Sequence, residues 1–253
     1  MSDFTEANRK HFDKVASNHQ TDFGDLINSI IAELNTRRES ISAKLVDTDP
    51  VGEVRLLDYA CGAGTVSKAL APYTSCTIGL DLSANMVAEY NKAAAEAAFG
   101  PDRMKGYQHD VLSAPSTTSL PSGVLAPFDI IVTSMALHHV ADPGRLLRAF
   151  SELLKPGGVC VVVDMVPGSA VHEGNEERSE SDIREALQPE QREVFNTIGK
   201  HGFNEEEMRA LYAGAGMWTG FEYVVFGEPF RFTMFGERFR TTGFIARGEK
   251  SAV

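Results

Sequence analysis

Short apolar runs alternate with amphipathic stretches over the middle of this chain, and that alternation is its first legible property. An N-terminal region from Glu6 to Val46 carries Phe12, Val15, Phe23, Leu26, Ile27, Ile30, Ile31 and Leu34 at helical spacing. Asp47-Thr48-Asp49-Pro50-Val51-Gly52 breaks it. The pattern then predicts a strand over Val54–Tyr59, a helix over Thr65–Leu70 and a strand over Thr77–Leu82. Ser83 is placed to cap an alanine-rich helix that Gly100-Pro101 stops. A strand near Lys105–His109, a Ser/Thr/Pro linker from Ser113 to Pro127 and a strand over Asp129–Ser134 follow.

Asp142-Pro143 supplies a cap and a first-turn proline for a helix whose Leu146, Leu147, Phe150, Leu153 and Leu154 share one face, and Pro156-Gly157 ends it. Val159–Val163 is an unbroken apolar run, as a strand buried on both faces requires. Strands alternating with helices at this spacing predict an α/β fold, a doubly wound and mostly parallel sheet. The tail differs. Phe221–Phe226, and Arg231–Ile245 interrupted at Phe235-Gly236-Glu237, read as a pair of strands with at least one antiparallel; the pattern permits an edge hairpin or a separate small sheet.

The chemistry concentrates at the end of the first strand. Leu56-Leu57-Asp58-Tyr59-Ala60-Cys61-Gly62-Ala63-Gly64-Thr65 runs from an apolar strand through a carboxylate into a glycine turn that opens a helix. Gly62 and Gly64 let the main chain approach a ligand closely, because neither carries a Cβ. Asp81, about twenty residues on, ends the second strand where a carboxylate meets a ribose diol. Charge discriminates between cofactors. A dinucleotide brings an anionic pyrophosphate and wants a third glycine, yet Ser67 stands there and Asp58 faces the turn. S-adenosyl-L-methionine has no phosphate but carries a sulfonium and an ammonium, for which these carboxylates are favourable neighbours.

These blocks make the chain resemble the class I S-adenosylmethionine-dependent methyltransferases, nearest in style to the small-molecule group that includes the ubiquinone-biosynthesis type. The resemblance rests on Leu56–Thr65, on Gly79-Leu80-Asp81-Leu82-Ser83 with Met86, and on Gln108-His109-Asp110-Val111. Phe128–Val132 through His138-His139-Val140, followed by Leu153-Leu154-Lys155-Pro156-Gly157-Gly158, completes it. Residues 50 to 165 carry it well and the remainder loosely. It implies a seven-stranded Rossmann-like sheet with an antiparallel C-terminal edge hairpin and a helical cap. It also implies cofactor contacts from Asp58, Ala60, Gly62, Gly64, Asp81, Leu82, Met86, Asp110, Val111 and Ser134. Within that set Asp110 would hold the adenine amino group, and Asp58 would either touch the ammonium or brace the turn. Ala60 replaces the family's first glycine, which the turn tolerates if φ is negative; His19 replaces a usual tyrosine.

For the acceptor side, His138 and His139 lie just past the strand ending at Ser134, and imidazole removes protons near neutral pH. The alternative is that the pair packs against or caps the helix begun at Asp142. The polar, acidic stretch Val166–Gly202 follows a central strand, so it is expected to form a cap with the segment around His11, Phe12 and His19, or else a solvated surface excursion. We expect one methyltransferase domain: residues 1–50 an N-terminal cap segment, 51–165 the cofactor core, 166–202 the cap insertion, 203–253 a C-terminal helix and edge hairpin.

Formal net charge is -11 without a basic block, which argues against nucleic acid or an anionic membrane as partner and for a small-molecule acceptor. Cys61, Cys76 and Cys160 lack metal-ligand spacing and read as reduced thiols. The polar start and the lack of a long apolar run lead us to expect a cytoplasmic protein, without excluding the nucleus. Other classes consistent with parts of this pattern are a non-catalytic adenosylmethionine-binding regulator, a protein methyltransferase and a nicotinamide-dependent oxidoreductase. The sequence leaves the acceptor atom (oxygen, nitrogen, sulfur or carbon) and the oligomeric state open.

Overall fold

The computed structural model describes residues 2–46, 53–113, 120–173, 192–234 and 236–252. Helices α1 (Asp3–Val15), α2 (His19–Asp22) and α3 (Gly24–Ile41) precede an alternating core. That core runs β1 (Arg55–Tyr59), α4 (Thr65–Leu70), β2 (Cys76–Asp81), α5 (Ala84–Glu96), β3 (Met104–Gln108), β4 (Phe128–Ser134), α6 (Pro143–Leu153) and β5 (Leu154–Met165). After the short β6 (Val171–His172) come α7 (Glu205–Gly214), β7 (Thr219–Val225), β8 (Phe230–Met234), β9 (Glu237–Thr241) and β10 (Gly243–Glu249). The interruption foreseen at 47–52, residues 114–119 of the expected Ser/Thr/Pro linker and residues 174–191 of the expected cap insertion lie outside the described residues.

Seven strands form one sheet in the order β3-β2-β1-β4-β5-β10-β7. β1, β2, β3, β4 and β5 pair in parallel, while β10 is antiparallel to both β5 and β7. The chain winds outward from β1 to β3 and returns to β4 on β1's other side, so the order reverses between β1 and β4. In such sheets the crevice at the carboxyl ends beside that reversal is where ligands bind.

The tail resolves both readings that its pattern allowed. β7 and β10 pair as the reversed edge, but the connection between them folds into a β8–β9 ribbon that joins β6 in a second, three-stranded sheet. The expected N-terminal helical region consists of three helices, because the chain turns at 16–18 and again at Phe23.

Alternation along the strands builds two cores. Leu57, Ile131 and Val162 face a layer with Phe150 of α6 and Tyr212 of α7, whereas Leu56, Ile130, Val132, Val161 and Val163 face one containing Leu34 of α3 and Val66 and Leu70 of α4. α5 covers β2 and β3 through Tyr90, fully buried, whose ring lies over two strand glycines. A Cβ on Gly79 would sit 2.7 Å from the Tyr90 ring and 2.9 Å from Cys61 Sγ, and one on Gly106 would sit 2.8 Å from the same ring. Backbone and ring approach closely there because neither strand position carries a side chain. Gly79→Ala should therefore cost about 1–3 kcal/mol through overpacking. Urea denaturation of the two proteins checks it, and an unchanged midpoint would mean that Tyr90 moves aside freely.

Candidate functional site

The site begins at the end of β1. Asp58, fully buried, points to the α4 side and accepts from Ser67 N at 3.1 Å and Ser67 Oγ at 2.8 Å. The Ser67 hydroxyl also meets the Tyr90 hydroxyl at 2.8 Å. Between Asp58 and Ser67 the chain reverses through residues held at positive φ: Ala60 at 54°, Gly62 at 48° and Gly64 at 86°. The Ala60 value corrects the expectation of a negative φ. Alanine occupies left-handed backbone here, at a cost of roughly 1–2 kcal/mol, because the turn between a fixed strand end and a fixed helix start leaves it no other path. At Gly62 a Cβ would meet nothing within 4 Å, so the main chain faces open space, while Gly64 opens α4 beneath the Tyr90 ring.

Asp81, at the end of β2, binds the same turn from the side. Its Oδ2 accepts from Gly62 N at 2.9 Å and its Oδ1 from Ser83 N at 2.8 Å. Ser83 Oγ caps α5 through Met86 N at 3.0 Å, so Asp81 is not the helix cap and its remaining lone pairs are available to hydroxyl donors. Met86 is buried and Leu82 half-buried on the entry to α5.

Asp110 lies past β3, where its carboxylate accepts from Leu112 N at 2.8 Å, Ser113 Oγ at 2.9 Å and the Tyr59 hydroxyl at 3.2 Å. It thus organises its own turn and joins it to the end of β1. Val111 packs half-buried beside it. Ser134 ends β4, and its Oγ is buried without a protein partner. An unsatisfied hydroxyl costs about 1–3 kcal/mol.

The electrostatics are acidic and under-compensated. Burial pushes the Asp58 carboxyl up to about 8, against the two Ser67 hydrogen bonds and with the Asp81 charge adding to the rise. Burial likewise pushes Asp81 up to about 6, opposed by the amide bonds from Ser83 and Gly62, with Asp13 among the charges that raise it. The Asp81 carboxylate against the glycine turn repels a phosphate and favours a cation or a neutral diol.

Beyond Ser134, Met135 takes φ 51° and a short turn carries Leu137–His139. His138 is buried, and its ring Nδ1 lies 2.8 Å from Asp164 Oδ1, while its main-chain N donates to Asp164 Oδ2 at 3.2 Å. His139 Nδ1 lies 2.7 Å from the Thr197 carbonyl, which fixes the proton on Nδ1 and leaves Nε2 as an acceptor. The two rings are 4.0 Å apart, and the edge of Phe12 from α1 contacts His139 at 5.1 Å. Burial, then the neighbouring His138, hold His139 well below the usual histidine range, against the Thr197 bond.

The fold therefore gathers Asp58, Ala60, Gly62, Gly64, Asp81 and Ser134 around the β1–β4 crevice, with Leu82, Met86, Asp110 and Val111 on its β2–β3 side and the histidine pair on its β5 side. Asp164, Thr197 and Asp13 were not foreseen. Asp164 had a signal, since a carboxylate directly after the apolar run Val159–Val163 needs a buried partner; Thr197 had none. Among the described residues no group of three or more His, Cys, Asp or Glu is arranged for a metal ion, and no helix is long and apolar enough to cross a membrane. Cys61, Cys76 and Cys160 are free thiols.

Because a carboxyl held above its ordinary value binds its proton more tightly in the folded than in the unfolded chain, Asp58 makes stability fall as pH rises from about 4 toward about 8. Asp58→Asn keeps an acceptor for Ser67 and cannot ionise. It should flatten that slope and be the more stable protein at pH 8, as urea denaturation across the pH series would register; parallel slopes would show that Asp58 ionises without penalty.

Comparison with known proteins adds independent findings. A family profile described as methyltransferase domain matches residues 16–217. A methyltransferase of Schizosaccharomyces pombe is 28% identical over 162 residues, covering 64% of this chain and 52% of that protein. The ubiquinone biosynthesis O-methyltransferase of a Caulobacter species is 35% identical over 117 residues, covering 46% and 42% respectively. The chain thus spans about half the length of these relatives. Among solved structures, YcgJ from Bacillus subtilis superposes with a TM-score of 0.59 at 16% identity, covering 88% of this chain and 99% of that one. Magnesium protoporphyrin IX methyltransferase from Synechocystis, with bound SAM, superposes with a TM-score of 0.57 at 14% identity, covering 99% of both. At such identities the superpositions speak for the fold.

Proposed function

The chain belongs to the methyltransferase domain family, and from that membership we propose that it is an enzyme transferring the methyl group of S-adenosyl-L-methionine to a small-molecule acceptor. The carrying observation is the Asp81 carboxylate, which grips Gly62 N and Ser83 N and keeps lone pairs free at the β1–β4 crevice. In this reading the ribose hydroxyls donate to Asp81. The open main chain at Gly62 lies against the methionine part, whose positive charges compensate Asp81. Ser134 Oγ finds its missing partner there. Asp110 and Val111 bound the adenine, with Leu82 and Met86 along its face. Asp58, occupied by Ser67, braces the turn. The acidic crevice and the overall charge of -11 favour a small, non-polyanionic acceptor in the cytoplasm.

The cofactor supplies an electrophilic methyl on a sulfonium, whose charge is discharged on transfer. The protein has to align the acceptor and, for a hydroxyl, to take its proton. His138 is held through Nδ1 by Asp164, and His139 through Nδ1 by Thr197, so both imidazoles are locked in rotation with Nε2 left over. A depressed His139 is neutral at physiological pH and able to accept a proton. Residues 192–202, with the α1 segment, close the acceptor side in this reading.

Titration calorimetry with S-adenosylhomocysteine and, separately, with a nicotinamide dinucleotide should give heat only for the former, and labelled S-adenosylmethionine with a metabolite extract should yield a product heavier by one methyl. Binding of the dinucleotide in its place would overturn the assignment. For the histidines, His138→Ala or His139→Ala should lower turnover by about 100-fold or more while leaving adenosylhomocysteine affinity unchanged. Undiminished turnover in both variants would reduce the pair to packing.

A further inference from the structure

The last turn of α1 places two consecutive side chains on opposite halves of the site. Phe12 meets His139 edge-on at 5.1 Å, on the acceptor side. Asp13 reaches the ribose side. Its Oδ1 accepts from Ser83 Oγ at 2.7 Å and from Asn85 N at 3.3 Å, and its main-chain carbonyl accepts from Asn85 Nδ2 at 2.9 Å. Its other oxygen is held by Arg9 at 2.7 Å, and Arg9 is itself anchored by Glu6 at 2.7 and 2.9 Å. Residues seventy positions away in sequence are thus joined by three hydrogen bonds.

This contact exceeds what α5 needs to begin. Ser83 alone already satisfies Met86 N, so Asp13 adds a carboxylate to a helix start that is already capped, at the end where orphan N–H groups and the helix dipole favour a negative charge. What it changes is Ser83. The hydroxyl, donating to Asp13 and accepting from Met86, has one orientation left, and the main-chain N of the same residue holds Asp81 Oδ1 at 2.8 Å. Asp13, Ser83, Asp81 and Gly62 therefore form one chain of hydrogen bonds from α1 to the glycine turn.

Resting on the cofactor assignment above, we propose that Asp13 is a positioning residue: it docks α1 across the ribose end of the site, so that holding the adenosyl cofactor and setting Phe12 against His139 are one event. Coupling of this kind is reciprocal. Whatever factor the cofactor contributes to docking of α1, docking contributes to cofactor affinity, and the acceptor meets a completed histidine face only after the cofactor has bound.

The test uses the full chain as wild type, Asp13→Ala and Asp13→Asn, with S-adenosylhomocysteine as ligand, read by calorimetry, by ligand-free thermal melting and by proteolysis of the N-terminal segment. Wild type should bind, and ligand should protect α1 from cleavage. Asp13→Ala should bind about tenfold more weakly and lose that protection while melting close to wild type without ligand. Asp13→Asn, which keeps an oxygen for Ser83 and Asn85, should recover most of both. Equal affinity and equal protection in Asp13→Ala would overturn the proposal, as would a ligand-free melting loss that accounts for the weaker binding. If wild type itself does not bind, the cofactor assignment falls, and this inference with it; binding by wild type together with indifference to Asp13 removes the inference alone.

Discussion

A carboxyl group buried at the end of the central strand without a cation beside it is the constraint around which this fold is arranged. Asp58 is satisfied only by the amide and hydroxyl of Ser67, Ser67 is tied to Tyr90, and Tyr90 fits only because Gly79 and Gly106 have no side chains. That chain of contacts fixes the start of α4 and the middle of α5 relative to three strands. It also forces the intervening turn into positive φ at residues 60, 62 and 64. A strained alanine and an uncompensated carboxyl are both unfavourable in isolation, and such costs persist where a ligand site over-determines them.

The opposite end of the sheet gives the contrast. Asp129, at the amino end of β4, is as buried as Asp58, but it is surrounded by the ammonium groups of Lys44 and Lys155 and by Arg55 N. Burial alone would raise its carboxyl, and the Arg55 amide with the two lysines reverses the shift, so it stands below its usual value. One end of the β1–β4 pair is thus internally neutralised and structural. The other is left with two raised carboxylates and an unpaired Ser134 hydroxyl. The asymmetry, more than the glycine turn, marks the carboxyl end as the place where a positively charged or hydroxyl-bearing ligand belongs.

Local signals made the core legible. The apolar runs, Ser83 as a cap, the Asp142-Pro143 start and the Leu146, Leu147 and Phe150 face each act within one element, and each appears where the pattern put it. The glycine turn and the carboxyl beside it were legible for the same reason, since Asp58 to Gly64 and Asp81 lie at ends of consecutive strands. What depends on long-range fit was not. No periodicity reveals that Ala60 must take positive φ, because the demand comes from Asp58 and Ser67 being held at both ends of the turn. Nor could it divide the tail into a reversed strand and a ribbon: Phe232 is in the small sheet because it stacks on Phe23 of the N-terminal region at 5.8 Å, a partner two hundred residues away.

The histidine pair shows how such distant partners set chemistry as well as shape. His138 and His139 are adjacent in sequence and 4.0 Å apart as rings, yet each receives its orientation from a different element. Asp164, at the end of β5, faces His138 with a carboxyl group; Thr197, in the segment returning toward α7, faces His139 with a main-chain carbonyl. An imidazolium beside a carboxylate is balanced, whereas one beside a carbonyl in a half-buried position, next to a second imidazole, is not. Burial and the neighbouring ring hold His139 below its usual range, and the Thr197 carbonyl only partly opposes them. That division cannot be read from two identical neighbouring letters; it exists because β5 ends in an acid and residue 197 folds back over the ring.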